Sequence, residues 1–72
     1  MNENNISEAF TRVRKEVEAA KSRGEGKLNF SKLYGSWPDI VLGQDEKASL
    51  VQRLNQQGWE LENEVVLKFP PN

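Results

Sequence analysis

Ile6, Phe10, Val13, Val17 and Ala20 recur at the three- and four-residue spacing that lines up one face of an α-helix. The stripe predicts a helix from about Ser7 to Ser22 or Arg23. Asn5 followed by Glu8 has capping-box spacing at its start, and Gly24 offers a left-handed stop at its end. Lys27 to Phe30 predicts a short strand. Ser31 then suits the N-cap of a short helix from Lys32 to about Ser36, with Leu33 and Tyr34 turned inward. Pro38 ends that helix, because the residue before a proline, here Trp37, is pushed toward extended geometry. The run Trp37-Pro38-Asp39-Ile40-Val41-Leu42-Gly43 is too apolar for an ordinary loop. It either packs on the core or forms an exposed contact patch. For Trp37 the core is the commoner fate in so small a domain.

Leu50, Val51 and Leu54 predict a second long helix that starts near Gly43 or Gln44 and closes at Gln57-Gly58. Asp45 and Glu46 fall in its first turn, where the helix dipole favours carboxylates. Beyond it, Trp59 and Leu61 alternate with Glu60 and Glu62, and Val65, Leu67 and Phe69 alternate with Val66 and Lys68. This alternation predicts a hairpin. A two-residue loop would pair Leu61 with Val66 and put the apolar faces out of step. A loop Glu62-Asn63-Glu64 instead sets Leu61 opposite Val65 and Trp59 opposite Leu67, all inward. Asn63 is the loop residue best suited to a left-handed conformation. Pro70-Pro71-Asn72 cannot extend a sheet. The expected ordered core spans about residues 5–69, with flexible tails at 1–4 and 70–72.

With 72 residues, the chain makes one domain. A domain of this size buries only about 60% of the surface its unfolded form exposes, so the core is small. Cys and His are both missing. A small secreted scaffold would normally carry disulfides, so the composition fits a reducing, cytoplasmic interior. Structural zinc, built on Cys and His ligands, is disfavoured. No apolar run approaches the roughly 20 residues of a membrane span, and Met-Asn-Glu-Asn-Asn has no signal-peptide character.

The net charge of −1 conceals an uneven distribution. Between Phe10 and Gly35 stand seven basic residues against three acidic ones, whereas Ser36 to Asn72 holds three basic against six acidic. Arg12 and Lys15 lie on the outer face of the first helix and are candidate partner contacts. Glu8–Arg12, Arg12–Glu16 and Arg14–Glu18 are spaced to pair along that helix, which favours a solvated face over a basic patch. Gly24-Glu25-Gly26-Lys27 follows a helix rather than a strand, so a helix stop and turn explain it better than a phosphate loop. Asp45–Glu46 and Ser31–Lys32 are sequence neighbours without a general base such as His beside them, and no catalytic role or cofactor is expected.

Helix, short strand, short helix, second long helix and two strands is the order of elements in winged-helix domains. The stretch LVQRLNQQGWEL (Leu50–Leu61) resembles the end of a recognition helix running into a first wing strand. The resemblance implies a small α+β, winged-helix-like fold with a C-terminal β-hairpin. It also implies a groove-entering helix with Ser49, Gln52, Arg53 and Gln56 as base readers. Asp45 and Glu46 at the helix start, and Glu62 and Glu64 at the wing tip, would repel a phosphate backbone. Two functions are therefore expected. One is a non-enzymatic regulatory or accessory module in gene regulation or nucleic-acid machinery, contacting DNA weakly or a protein directly. The other is a pure protein-interaction module, an inhibitor or adaptor using Trp37 and Ile40. Either admits a homodimer built on the first helix or the hairpin edge, and neither involves a membrane.

Overall fold

A computed structural model describes residues 3–70. Six elements follow in order: α1 (Glu3–Ser22), β1 (Lys27–Asn29), α2 (Phe30–Gly35), α3 (Gln44–Gln56), β2 (Glu60–Glu62) and β3 (Val66–Lys68). This is a small α+β domain in the order expected. Helix α1 begins four residues before Ser7, so Asn5 lies inside it rather than at a cap. Glu3 and Asn4, expected in a tail, are helical. Of the other expected tail residues, Pro70 is exposed and outside the sheet, and Met1, Asn2, Pro71 and Asn72 lie outside the described residues.

Both long helices end in the same device. Gly24 adopts φ +79° and Gly58 φ +85°. After α1, the Gly24 N–H donates to Lys21 O and the Glu25 N–H to Ala20 O, both at 2.9 Å. After α3, the Gly58 N–H reaches Asn55 O at 3.0 Å and the Trp59 N–H reaches Leu54 O at 3.2 Å. These paired bonds satisfy carbonyls that a helix end leaves open, and they require a left-handed residue. Helix α2 starts earlier than Ser31. Asn29 is its N-cap, and its Oδ1 accepts from the Lys32 N–H at 2.9 Å. An Asn is as good a cap as Ser, and choosing Asn29 puts Phe30 into the core.

The three strands form one antiparallel sheet in the order β1-β3-β2. Leu28, Leu67 and Leu61 lie opposite one another across it. The hairpin keeps Trp59, Leu61, Leu67 and Phe69 inward as expected, but Val65 is not inward and the register shifts by two residues: Leu61 faces Leu67, not Val65. The cause lies at the turn and in α2. Asn63 and Glu64 both take positive φ, 54° and 59°, and the Val65 N–H closes the turn on Glu62 O at 3.0 Å. The Val65 carbonyl then accepts from the Phe30 and Ser31 N–H groups at the start of α2. Val65 is thereby held at the sheet end, 43% exposed.

One core cluster joins the layers. Ile6, Ala9, Val13, Val17 and Ala20 of α1 pack with Leu50 and Leu54 of α3, Phe30 of α2, and Trp59, Leu67 and Phe69 of the hairpin. Ala9 rather than Phe10 occupies the centre of the α1 stripe. Phe10 sits at the margin and stacks on Trp59, with ring centroids 6.2 Å apart. Trp37 and Ile40 are buried as well, so the loop between α2 and α3 closes the core, while Val41 is 79% exposed.

Candidate functional site

The outward surface of α3 is built by its core contacts. Leu50 and Leu54 point inward, which turns Asp45, Ala48, Gln52 and Gln56 to solvent on the opposite side. Gln52 and Gln56 stand one turn apart and are exposed as the groove-reader pattern requires. Arg53 does not join them. Its guanidinium forms an ion pair with Glu3 and hydrogen-bonds Ser7 Oγ at 3.3 Å, tying α3 to the start of α1. Ser49, half-buried on the same flank, is also engaged in a contact. Of the four sequence candidates, Gln52 and Gln56 therefore face outward, Arg53 is tied to α1, and Ser49 is half-buried.

The start of α3 is occupied in a similar way. Gly43 is its N-cap, and having no side chain it can supply only the backbone half of a capping box. The Gly43 N–H donates to the Glu46 carboxylate at 3.2 Å. Lys47 lies over the Tyr34 ring, 5.5 Å from its centroid. Between α3 and the hairpin tip runs an open hollow of about 450 Å³, lined by Gln44, Lys47, Ala48, Val51 and Glu64. Apart from Lys47, this surface is neutral or acidic.

Arg12 and Trp37 belong together. The Arg12 guanidinium donates to both oxygens of Asp39, at 3.0 and 2.7 Å, and to Glu8 at 3.2 Å, and it stands 5.9 Å from the Trp37 ring centroid. Such a two-pronged pair has fixed geometry. Arg12 is thus a fastener for the α2–α3 loop, and the expected Arg12–Glu16 pair does not form. The hydrogen bonds from Arg12 hold the Asp39 carboxyl below its ordinary pKa, and the same contact raises Arg12. At the hairpin, the hydrogen bond from Lys68 likewise lowers Glu62. Lys15 is exposed on α1 with no ion pair among the described residues. Neither Asp39 nor the Glu3–Arg53 pair could be read from sequence spacing, since each joins residues far apart along the chain.

A second surface escaped the sequence reading. Around β1 lie two open hollows of about 440 and 320 Å³ that share Leu28 and Asn29. The first is walled by Glu16 of α1 and Arg23 just beyond it, and by Lys32 and Leu33 of α2 with its C-cap Ser36; the second adds Glu25, Lys27 and Val66. Its only sequence signal was the basic run from Arg12 to Lys32. Among the described residues, no helix is long and apolar enough to cross a membrane. Comparison with family models, with curated proteins and with solved structures finds no match.

Proposed function

We propose that this chain is a non-enzymatic, winged-helix-like binding module, an accessory protein of gene regulation or nucleic-acid machinery that works through a protein partner. The winged-helix reading is supported by the element order and by β1 completing the sheet beside the hairpin. The observation that carries the choice of partner is the outward face of α3. Asp45, Gln52 and Gln56 offer hydrogen bonds but no positive charge, Ala48 between them offers a methyl group, and Glu64 stands at the adjoining hairpin tip. Duplex affinity rests heavily on neutralising phosphates. Arg53, the one cation a groove-reading helix would use here, is held by Glu3.

Fluorescence anisotropy with random duplex DNA, at low and moderate salt, tests this reading. Binding is expected to be absent at moderate salt and weak at low salt, and Gln52→Ala should leave it unchanged. Tight binding that weakens on Gln52→Ala or Arg53→Ala would establish direct groove reading by α3 instead.

A further inference from the structure

The free edge of β1 has both the backbone groups and the surroundings to take another strand. In an antiparallel pair, alternate residues direct N–H and C=O toward the partner strand. Here the Phe69 N–H donates to Gly26 O at 3.0 Å and the Phe30 N–H to Val65 O at 2.7 Å. With Leu28 opposite Leu67, residues 26, 28 and 30 face β3. Lys27 and Asn29 therefore turn their N–H groups to the open side. The Asn29 carbonyl begins the α2 ladder, which leaves two donors and the Lys27 carbonyl on this edge.

The hollows on either side of the edge are different. The one between α1 and α2 has an apolar floor, Leu28 and Leu33, with Arg23 and Lys32 on its rim and Glu16 on the α1 wall. The one on the outer sheet face holds Lys27 and Val66, with Glu25 beside them. Arg23 is paired with Glu25, whereas Lys32 has no ion pair among the described residues. An edge strand marked by Lys repels a basic strand and disfavours an apolar one that would desolvate the ammonium, whereas carboxylates on the incoming strand offset that charge.

We propose that β1 binds an extended, acidic segment of a partner protein by strand addition. An apolar side chain of that segment enters the Leu28–Leu33 hollow, and its carboxylates lie by Lys27 and Lys32. Backbone bonds give such a complex its affinity, and alternate side chains give it specificity. A second copy of this chain is a poorer occupant. Its own acidic edge, Glu60-Leu61-Glu62, has Leu61 packed against its core and cannot place that side chain in the hollow. The inference rests on the protein-partner reading and gives that partner a chemistry.

The test is a titration of the ¹⁵N-labelled full chain with the peptide acetyl-Glu-Leu-Glu-Leu-Glu-amide, and with its counterpart carrying Lys for Glu. The acidic peptide should shift the Lys27 and Asn29 amides and slow their hydrogen exchange. The basic peptide should do neither. Lys27→Glu with Lys32→Glu should weaken binding about tenfold or more, and Glu16→Gln should strengthen it. Circular dichroism checks that each variant is folded, and Lys32→Gln replaces the double variant if that one is not. Equal binding of both peptides, shifts confined to α3, or no binding would overturn the proposal. So would concentration-dependent shifts of Lys27, Asn29 and Leu61 in the free protein, because a second copy would then hold the edge. Failure with the peptide while DNA also fails to bind would remove the β1 site alone; tight DNA binding by α3 would remove the protein-partner reading.

Discussion

Arg12 fastens the loop after α2 to α1 through one guanidinium, and that attachment is sensitive to acid. Its hydrogen bonds hold the folded-state pKa of Asp39 below the unfolded value. As pH falls, the unfolded chain therefore takes up its proton first. The stability from this pair is complete above the ordinary carboxylate range and is lost as pH drops through the lowered value. Glu62, lowered by Lys68, acts in the same direction. Urea midpoints measured from about pH 6 down to about pH 2 should decline. Asp39→Asn should be less stable at the upper end and show a shallower decline. An equally steep decline in the variant would remove Asp39 as a cause. Two backbone positions make opposite predictions. A Cβ at Gly58 meets nothing within 4 Å, so Gly58→Ala costs only its left-handed conformation, about 1–2 kcal/mol. Glu64 already bears that cost at φ 59°. Glu64→Gly should stabilise by about 0.5–1 kcal/mol, the left-handed gain less the entropy of glycine. Urea denaturation measures both.

At the level of elements, Trp59 is the joint between α3 and the hairpin. Its N–H completes the α3 end, and its buried ring stacks on Phe10 of α1. Trp59→Ala should cost about 3–5 kcal/mol. Stabilities of small domains start near 5 kcal/mol, so the variant should keep about 2 kcal/mol or less and lose its near-ultraviolet circular dichroism in low urea. A sharp native spectrum would show the joint to be dispensable. The end of α3 was legible because Gly58 and the apolar spacing of Leu50 and Leu54 are local signals. The start of α1 was not. Asn5 and Glu8 carry the spacing of a cap, but Glu3 binds Arg53 from the other end of the chain, and the helix extends to include it. The hairpin face was legible from alternation, since residues two apart share a side. Alternation cannot choose between registers that differ by two. That choice fell to the left-handed pair Asn63–Glu64 and to the Val65 carbonyl at the start of α2. For the candidate site, exposure of Gln52 and Gln56 followed from helix geometry. The engagement of Arg53 by Glu3 and the burial of Trp37 beneath Arg12 depend on tertiary contacts that no local spacing encodes.

Over the whole molecule the charge separates by side. Around β1 the surface carries Arg23, Lys27 and Lys32 with a few carboxylates between them, while the hairpin strand β2 carries Glu60 and Glu62. The outward row of α3 adds Asp45 and no cation. A domain arranged in this way presents a helix face of Gln52, Gln56 and Asp45 where a duplex reader would need positive charge. Lys27 and Lys32 lie beside an open strand edge instead. On the proposed function, α3 does not read DNA. Backbone amide shifts of the ¹⁵N-labelled chain, recorded at low salt with and without random duplex DNA, test it most directly. The expected result leaves the amides of Gln52, Gln56 and Asn63 unmoved. Shifts across α3 and the hairpin tip that grow as salt is lowered would contradict the account.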